Sequence, residues 1–107
     1  MAMVFIETPV FTKLITALLS DEEYTGLQNL LIENPARGDL IPGGGGIRKV
    51  RYGRQGMGKS SGIRVIYYWI SEDQQIYMLV AYPKSRKDNL TPGEIATLGE
   101  LVKELRL

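Results

Sequence analysis

The chain has 107 residues, 44% of them apolar and 23% charged, with a net charge of +1. That length supports one domain with a modest core, and the composition is that of a folded protein rather than a disordered one. The absence of cysteine and histidine excludes disulfides, thiolate chemistry and the commonest metal ligand. No metal and no cofactor are expected. No apolar run approaches the roughly 20 residues needed to span a bilayer. The N-terminal MAMVFIETPVF has no basic flank ahead of its apolar part, so no signal peptide is read. The expected location is cytoplasmic, without membrane contact.

Met3 to Glu7 is a short β-prone run ended by Thr8-Pro9. Phe11, Leu14, Ile15, Leu18 and Leu19 then form one apolar stripe at helical spacing. Thr8 suits the N-cap and Pro9 the first helical position. Ser20 and Glu23 form a capping box that starts a second helix almost at once. Asn34-Pro35 ends it, because the residue before proline is driven out of the α region. Residues 36–46 read as a loop, and Pro42-Gly43-Gly44-Gly45-Gly46 is expected to be a flexible connector.

Three strands follow: Ile47 to Tyr52, Ile63 to Ile70 and Gln75 to Tyr82. The middle one is the strongest, since Val65, Ile66, Tyr67, Tyr68 and Trp69 are all β-branched or aromatic. A turn at Ser71 to Gln74 joins the last two, and the succession implies an antiparallel meander. Thr91-Pro92-Gly93-Glu94 is a second capping box with proline at the first helical position. Ile95, Leu98, Leu101, Val102 and Leu105 give the final helix its apolar side.

Charge is segregated along this chain. Between Leu40 and Ser71 there are six basic residues and no acidic one: Arg48, Lys49, Arg51, Arg54, Lys59 and Arg64. Side chains alternate across a strand. Ile63, Val65, Tyr67 and Trp69 therefore share a core face, which leaves Arg64 on the other. Ile47, Lys49 and Arg51 share a face of the first central strand. In the third, Met78, Val80, Tyr82 and Lys84 are expected opposite Tyr77, Leu79 and Ala81. Setting Lys49, Arg51, Arg64, Tyr82 and Lys84 side by side gives a cationic patch with one phenol. Like charges on neighbouring strands repel unless an anion compensates them, so the patch suits phosphate. Arg48, Arg54 and Lys59 are candidates for contacts with a nucleic-acid backbone.

Gly53-Arg54-Gln55-Gly56-Met57-Gly58-Lys59-Ser60 satisfies the P-loop pattern. That motif holds phosphates at a helix N-terminus. The residues after it read as a strand, so nucleotide binding at this loop is rejected.

Taken together, NPARGDLIPGGGGIRKVR, GKSSGIRVIYY and IYMLVAYPKSRKDNLT resemble the RelE superfamily of bacterial type II toxins, and within it the HigB-like branch. The resemblance spans most of the chain. It implies an α+β fold, with two N-terminal helices packed on a small antiparallel sheet and a C-terminal helix, in a single toxin domain. It also implies a metal-independent messenger-RNA endonuclease that acts in the ribosomal A site. A cognate antitoxin, of helix-turn-helix type, would neutralise it. By motif position, the family's catalytic residues fall on Lys49, Arg51, Arg64, Tyr82 and Lys84. The tyrosine that some members carry near the last helix is absent, as are the histidines of others. The base is then sought in Lys49 and the acid in Lys84 or Tyr82. A non-catalytic RNA- or DNA-binding module, or an inactive toxin paralogue, would use the same face without cutting.

Overall fold

A computed structural model describes residues 2–53, 62–87 and 89–105. The elements in order are β1 (Val4–Glu7), α1 (Pro9–Leu18), α2 (Asp21–Glu33), β2 (Asp39–Leu40), β3 (Arg48–Tyr52), β4 (Ile63–Ile70), β5 (Gln75–Pro83) and α3 (Pro92–Leu105). The strands form one sheet in the order β1-β5-β4-β3-β2.

Local chemistry sets the helix boundaries. Thr8 Oγ1 accepts the Phe11 N–H at 3.0 Å, and Pro9 opens α1, where its missing N–H costs no helical hydrogen bond. Ser20 and Glu23 make both halves of the capping box of α2. At α3, Glu94 N–H donates to Thr91 Oγ1 at 3.1 Å, and Thr91 N–H donates to Glu94 Oε1 at 2.8 Å.

The meander β3-β4-β5 is antiparallel, as the sequence implied. The sheet as a whole is mixed, because β1 pairs in parallel with β5, Val4 opposite Gln75 through Glu7 opposite Met78. The expected antiparallel sheet thus carries one parallel edge strand. An isolated apolar run near a terminus says nothing about which strand it joins. The crossover through α1, α2 and the meander brings β1 back beside β5.

Both faces of the sheet are covered. Val50, Ile63, Val65, Tyr67, Ile76, Met78 and Ala81 pack with Phe11, Ile15, Leu27 and Leu31 of α1 and α2. On the opposite face, Ile47, Ile66, Tyr68, Leu79 and Tyr82 pack with Val102 of α3. The final helix is thus part of the core.

The alternation expected along β5 fails at one place. Ile66 lies opposite Val80 but Tyr67 lies opposite Met78, so Leu79 is an extra residue, a β-bulge. Leu79, Val80 and Tyr82 all lie on the α3 side, while Met78 and Ala81 join the α1/α2 side. The Leu79 carbonyl accepts from Thr8 Oγ1 at 2.9 Å. One hydroxyl therefore both caps α1 and supports the bulge.

The glycine run is a tight turn between β2 and β3 rather than a loose connector. Ile41 N–H donates to Ile47 O at 3.0 Å across it. Gly46 has φ +115°, and a Cβ there would lie 2.9 Å from the Tyr68 ring. A Cβ on Gly44 would lie 2.4 Å from the Ile47 side chain. The glycines are needed for backbone conformation and close approach.

Candidate active site

The register aligns three of the expected residues in a row across the sheet. Arg51 of β3 lies opposite Arg64 of β4, and Arg64 lies opposite Tyr82 of β5. Lys49 lies opposite Ile66, on the same face. Directly opposed residues have Cβ atoms about 5 Å apart, so Lys49, Arg51, Arg64 and Tyr82 form one cluster beside the apolar floor that α3 covers. The bulge is what brings Tyr82 into this row with the right phase. Lys84 follows β5 in a turn and is exposed. Its backbone N–H donates to Gly62 O at 3.0 Å, which places it at the end of the sheet where β4 begins.

Exposure divides the cluster. Arg51 is exposed and Lys49 half-buried, but Arg64 is only 4% exposed and Tyr82 5%. The sequence pattern set Arg64 on the cationic face without fixing its depth. Its position on a central strand, hydrogen-bonded on both sides, places the guanidinium beneath the surface. Arg64 Nη1 approaches Ile63 O at 3.4 Å; Arg64, Lys49 and Tyr82 each take further partners as well. Burial of a cation demands such partners.

Tyr82 is covered by Lys87, whose Nζ stands 5.3 Å from the ring centroid. Lys87 is in turn paired with Glu94 Oε2. The hydrogen bond from Lys87, then that from the Thr91 N–H, hold the Glu94 carboxyl below its ordinary pKa. One carboxylate thus closes the cap of α3 and fastens the loop that follows β5.

Lys49 Nζ donates to Asn89 Oδ1 at 2.7 Å. A cleft of about 310 Å³ opens beside this contact, lined by Lys49, Arg51, Asp39, Asn89 and apolar side chains of the β2–β3 turn and α3. Asp39 is the Cα partner of Lys49 across β2 and β3. Neither Asp39 nor Asn89 was singled out from the sequence. They reach the cleft from positions 50 residues apart, and no local pattern marks that convergence. A second, larger cavity of about 990 Å³ lies on the far side of the row, between α1, β5 and α3, and includes Tyr82, Lys87 and Glu94.

Arg48 is set apart from this cluster. It alternates to the α1/α2 side, where Nη1 donates to Gly38 O at 2.8 Å and Ala36 O at 3.2 Å. Beside it, the Tyr67 hydroxyl accepts from Gly38 N–H at 2.9 Å and donates to Pro35 O at 2.7 Å. Burial pushes that hydroxyl above the ordinary tyrosine pKa, with the Gly38 N–H and the Arg48 charge opposing the rise. Arg54 and Lys59 lie outside the described residues. Among the described residues, no group of three His, Cys, Asp or Glu stands ready to hold a metal ion. None of the described helices is long and apolar enough to cross a membrane.

A family model described as the RelE toxin of the RelE / RelB toxin-antitoxin system matches residues 10–106. The chain belongs to the RelE toxin family. Solved structures agree on the fold. A double arginine-to-alanine variant of the E. coli toxin RelE in the free state matches with a TM-score of 0.58 at 19% identity, covering 97% of this chain and 98% of that one. An archaeal RelE from the RelE-RelB complex of Pyrococcus horikoshii matches with a TM-score of 0.53 at 22% identity, covering 80% and 99%.

Proposed function

We propose that this RelE-family chain, of the HigB-like branch, is a ribosome-dependent messenger-RNA endonuclease of the cytoplasm. We also assign it a cognate antitoxin of helix-turn-helix type. Membership of the toxin family supports the biological role. The observation that carries the chemistry is the row Arg51-Arg64-Tyr82, with Lys49 beside it on the same face. Two arginines directly opposed on adjacent strands repel one another. A phosphate placed against them removes that cost, and an apolar substrate does not.

In the reaction, the 2′-hydroxyl attacks the adjacent phosphorus. The O2′–P bond forms, the P–O5′ bond breaks, and charge builds on the non-bridging oxygens. Arg51, exposed and permanently charged, clamps those oxygens bidentately. Arg64 supplies a fixed positive charge from beneath, where the low dielectric strengthens it. Lys49, in its neutral amine form, takes the 2′ proton and becomes the ammonium, and Lys84, exposed at the end of β5, delivers one to O5′. Tyr82 supports Arg64 from the neighbouring strand. A site of so few groups depends on an externally oriented substrate, which the ribosomal A site provides.

The test is induced expression in a bacterial host, with primer extension on an abundant messenger. The wild type is run beside Arg51→Ala and Arg64→Ala, and folding is checked by circular dichroism. New ends within translated codons in the wild type, lost in both folded variants, are expected. Salt-dependent RNA binding without new ends would replace this reading with that of a binding module.

A further inference from the structure

Lysine carries its amine on a flexible four-carbon stem, and a general base must hold its nitrogen still against the hydroxyl it deprotonates. The nitrogen of Lys49 is reached from outside the sheet: Nζ donates to Asn89 Oδ1 at 2.7 Å. Asn89 is exposed and lies 40 residues further along the chain, so the pair forms only with the β5–α3 loop held against β3. That loop is fastened on both sides of Asn89. Before it, Arg86 N–H donates to Pro83 O at 3.0 Å, and Lys87 pairs with Glu94. After it, Thr91 and Glu94 close the cap of α3. The fold therefore has its anchors without Asn89, and the use of the contact is sought in what it does to Lys49.

The acceptor is an amide, which matters for a base. A neutral lysine amine has two N–H donors and one lone pair. Donating one N–H to Oδ1 turns the lone pair away from Asn89. After proton transfer the ammonium still has an N–H for the same oxygen, so the contact survives the step without rearrangement. A carboxylate in that place would favour the ammonium and remove the base before the reaction. The charges around Lys49 already oppose one another. Asp39, its partner on β2, favours the ammonium, while Arg51 on its own strand and Arg64 on β4 disfavour it. From α3 the cleft receives the uncharged Ile95. An uncharged acceptor leaves that balance nearly as it stands. We propose that Asn89 is a positioning residue, whose amide oxygen fixes the Lys49 amine with its lone pair free for the 2′-hydroxyl. This assignment rests on the nuclease reading, because it acts through Lys49 as the base.

The experiment follows cutting of a messenger on purified, programmed ribosomes as a function of pH. The wild type is run beside Asn89→Ala and Asn89→Asp, with folding of each checked by circular dichroism. Asn89→Ala is expected to lower kcat about tenfold at every pH, part of the roughly 100- to 10,000-fold that a general base supplies. Its KM should change by less than about twofold, because Asn89 is not assigned to substrate binding. In Asn89→Asp, the rise of rate with pH should move to higher pH by about one unit, the small end of the effect of an opposite charge at an exposed site. Above that rise its rate should recover toward the wild type, since a carboxylate oxygen still accepts from the amine. A role confined to holding the loop predicts neither the shift nor the recovery. Asn89→Ala cutting at the wild-type rate, or a pH profile of Asn89→Asp superimposed on that of the wild type, would overturn the assignment and leave the nuclease standing. A folded wild type that leaves ribosome-bound messenger intact would overturn the nuclease reading, and the role of Asn89 with it.

Discussion

One β-strand supplies arginine to both faces of this sheet, and the two faces use it differently. On the α1/α2 side, Arg48 is consumed by the carbonyls of Ala36 and Gly38. Tyr67 satisfies the same loop through Pro35 and Gly38. Both side chains are committed to the chain itself. On the α3 side, Arg51 faces Arg64 across the ladder, an arrangement that works against folding. The difference teaches where stability has been conceded. A polar group that completes its own fold is structural, and a row of like charges set in register costs stability without closing a turn or a cap.

Three substitutions sharpen that contrast. The largest expected effect is on the committed face. Tyr67→Phe leaves the buried Gly38 N–H and the Pro35 carbonyl without their hydroxyl, and should cost about 1–3 kcal/mol in urea denaturation. Cleavage per folded molecule should persist. A neutral Tyr67→Phe would show that water or a shifted loop replaces the hydroxyl, and the two faces would look more alike. Next, Arg51→Ala should gain a few tenths to about 1 kcal/mol by the same measurement, as cross-strand repulsion is relieved. A loss of stability would mean that the row is paired internally, as Arg48 is.

The smallest effect is a pH dependence. Glu94 has a depressed pKa in the folded chain, so the unfolded chain takes up its proton first as pH falls. Its contribution is complete above the ordinary value of 4.5 and is lost as the pH drops below that toward the folded value. The group is well exposed to solvent, so the slope is shallow. Glu94→Gln should flatten the stability profile in that acid window and leave it unchanged near neutrality. An unchanged acid limb would show that Lys87 and Thr91 hold their loop without this carboxylate.

Much of the frame was legible because its signals are local. Ser20 with Glu23, and Thr91 with Glu94, mark helix starts within four residues, and both boxes form as written. The β4 face of Ile63, Val65, Tyr67 and Trp69 follows from alternation alone. What escaped depends on distant pairing. Nothing near Val4 names β5 as its neighbour. The bulge at Leu79 carries no glycine or proline to announce it. The burial of Arg64 comes from occupying a central strand, and Asp39 and Asn89 meet only when α3 folds over β3. The row Lys49, Arg51, Arg64 and Tyr82 was recovered from sequence because β4 and the C-terminal half of β5 keep a constant register. The departure, at Met78, falls on the other side of the bulge.

That bulge makes β5 a strand with two phases, which changes how its positions are to be counted. Tyr77 and Tyr82 are separated by an odd number of steps yet serve the same side. A homologue one residue shorter at Leu79 would present all later residues of β5 inverted unless the shift were absorbed elsewhere. Positional equivalence along this strand is therefore best reckoned from Pro83 backward for the row that holds Tyr82, and from Gln75 forward for the part that receives β1. The Thr8 hydroxyl sits at the seam between these two reading directions.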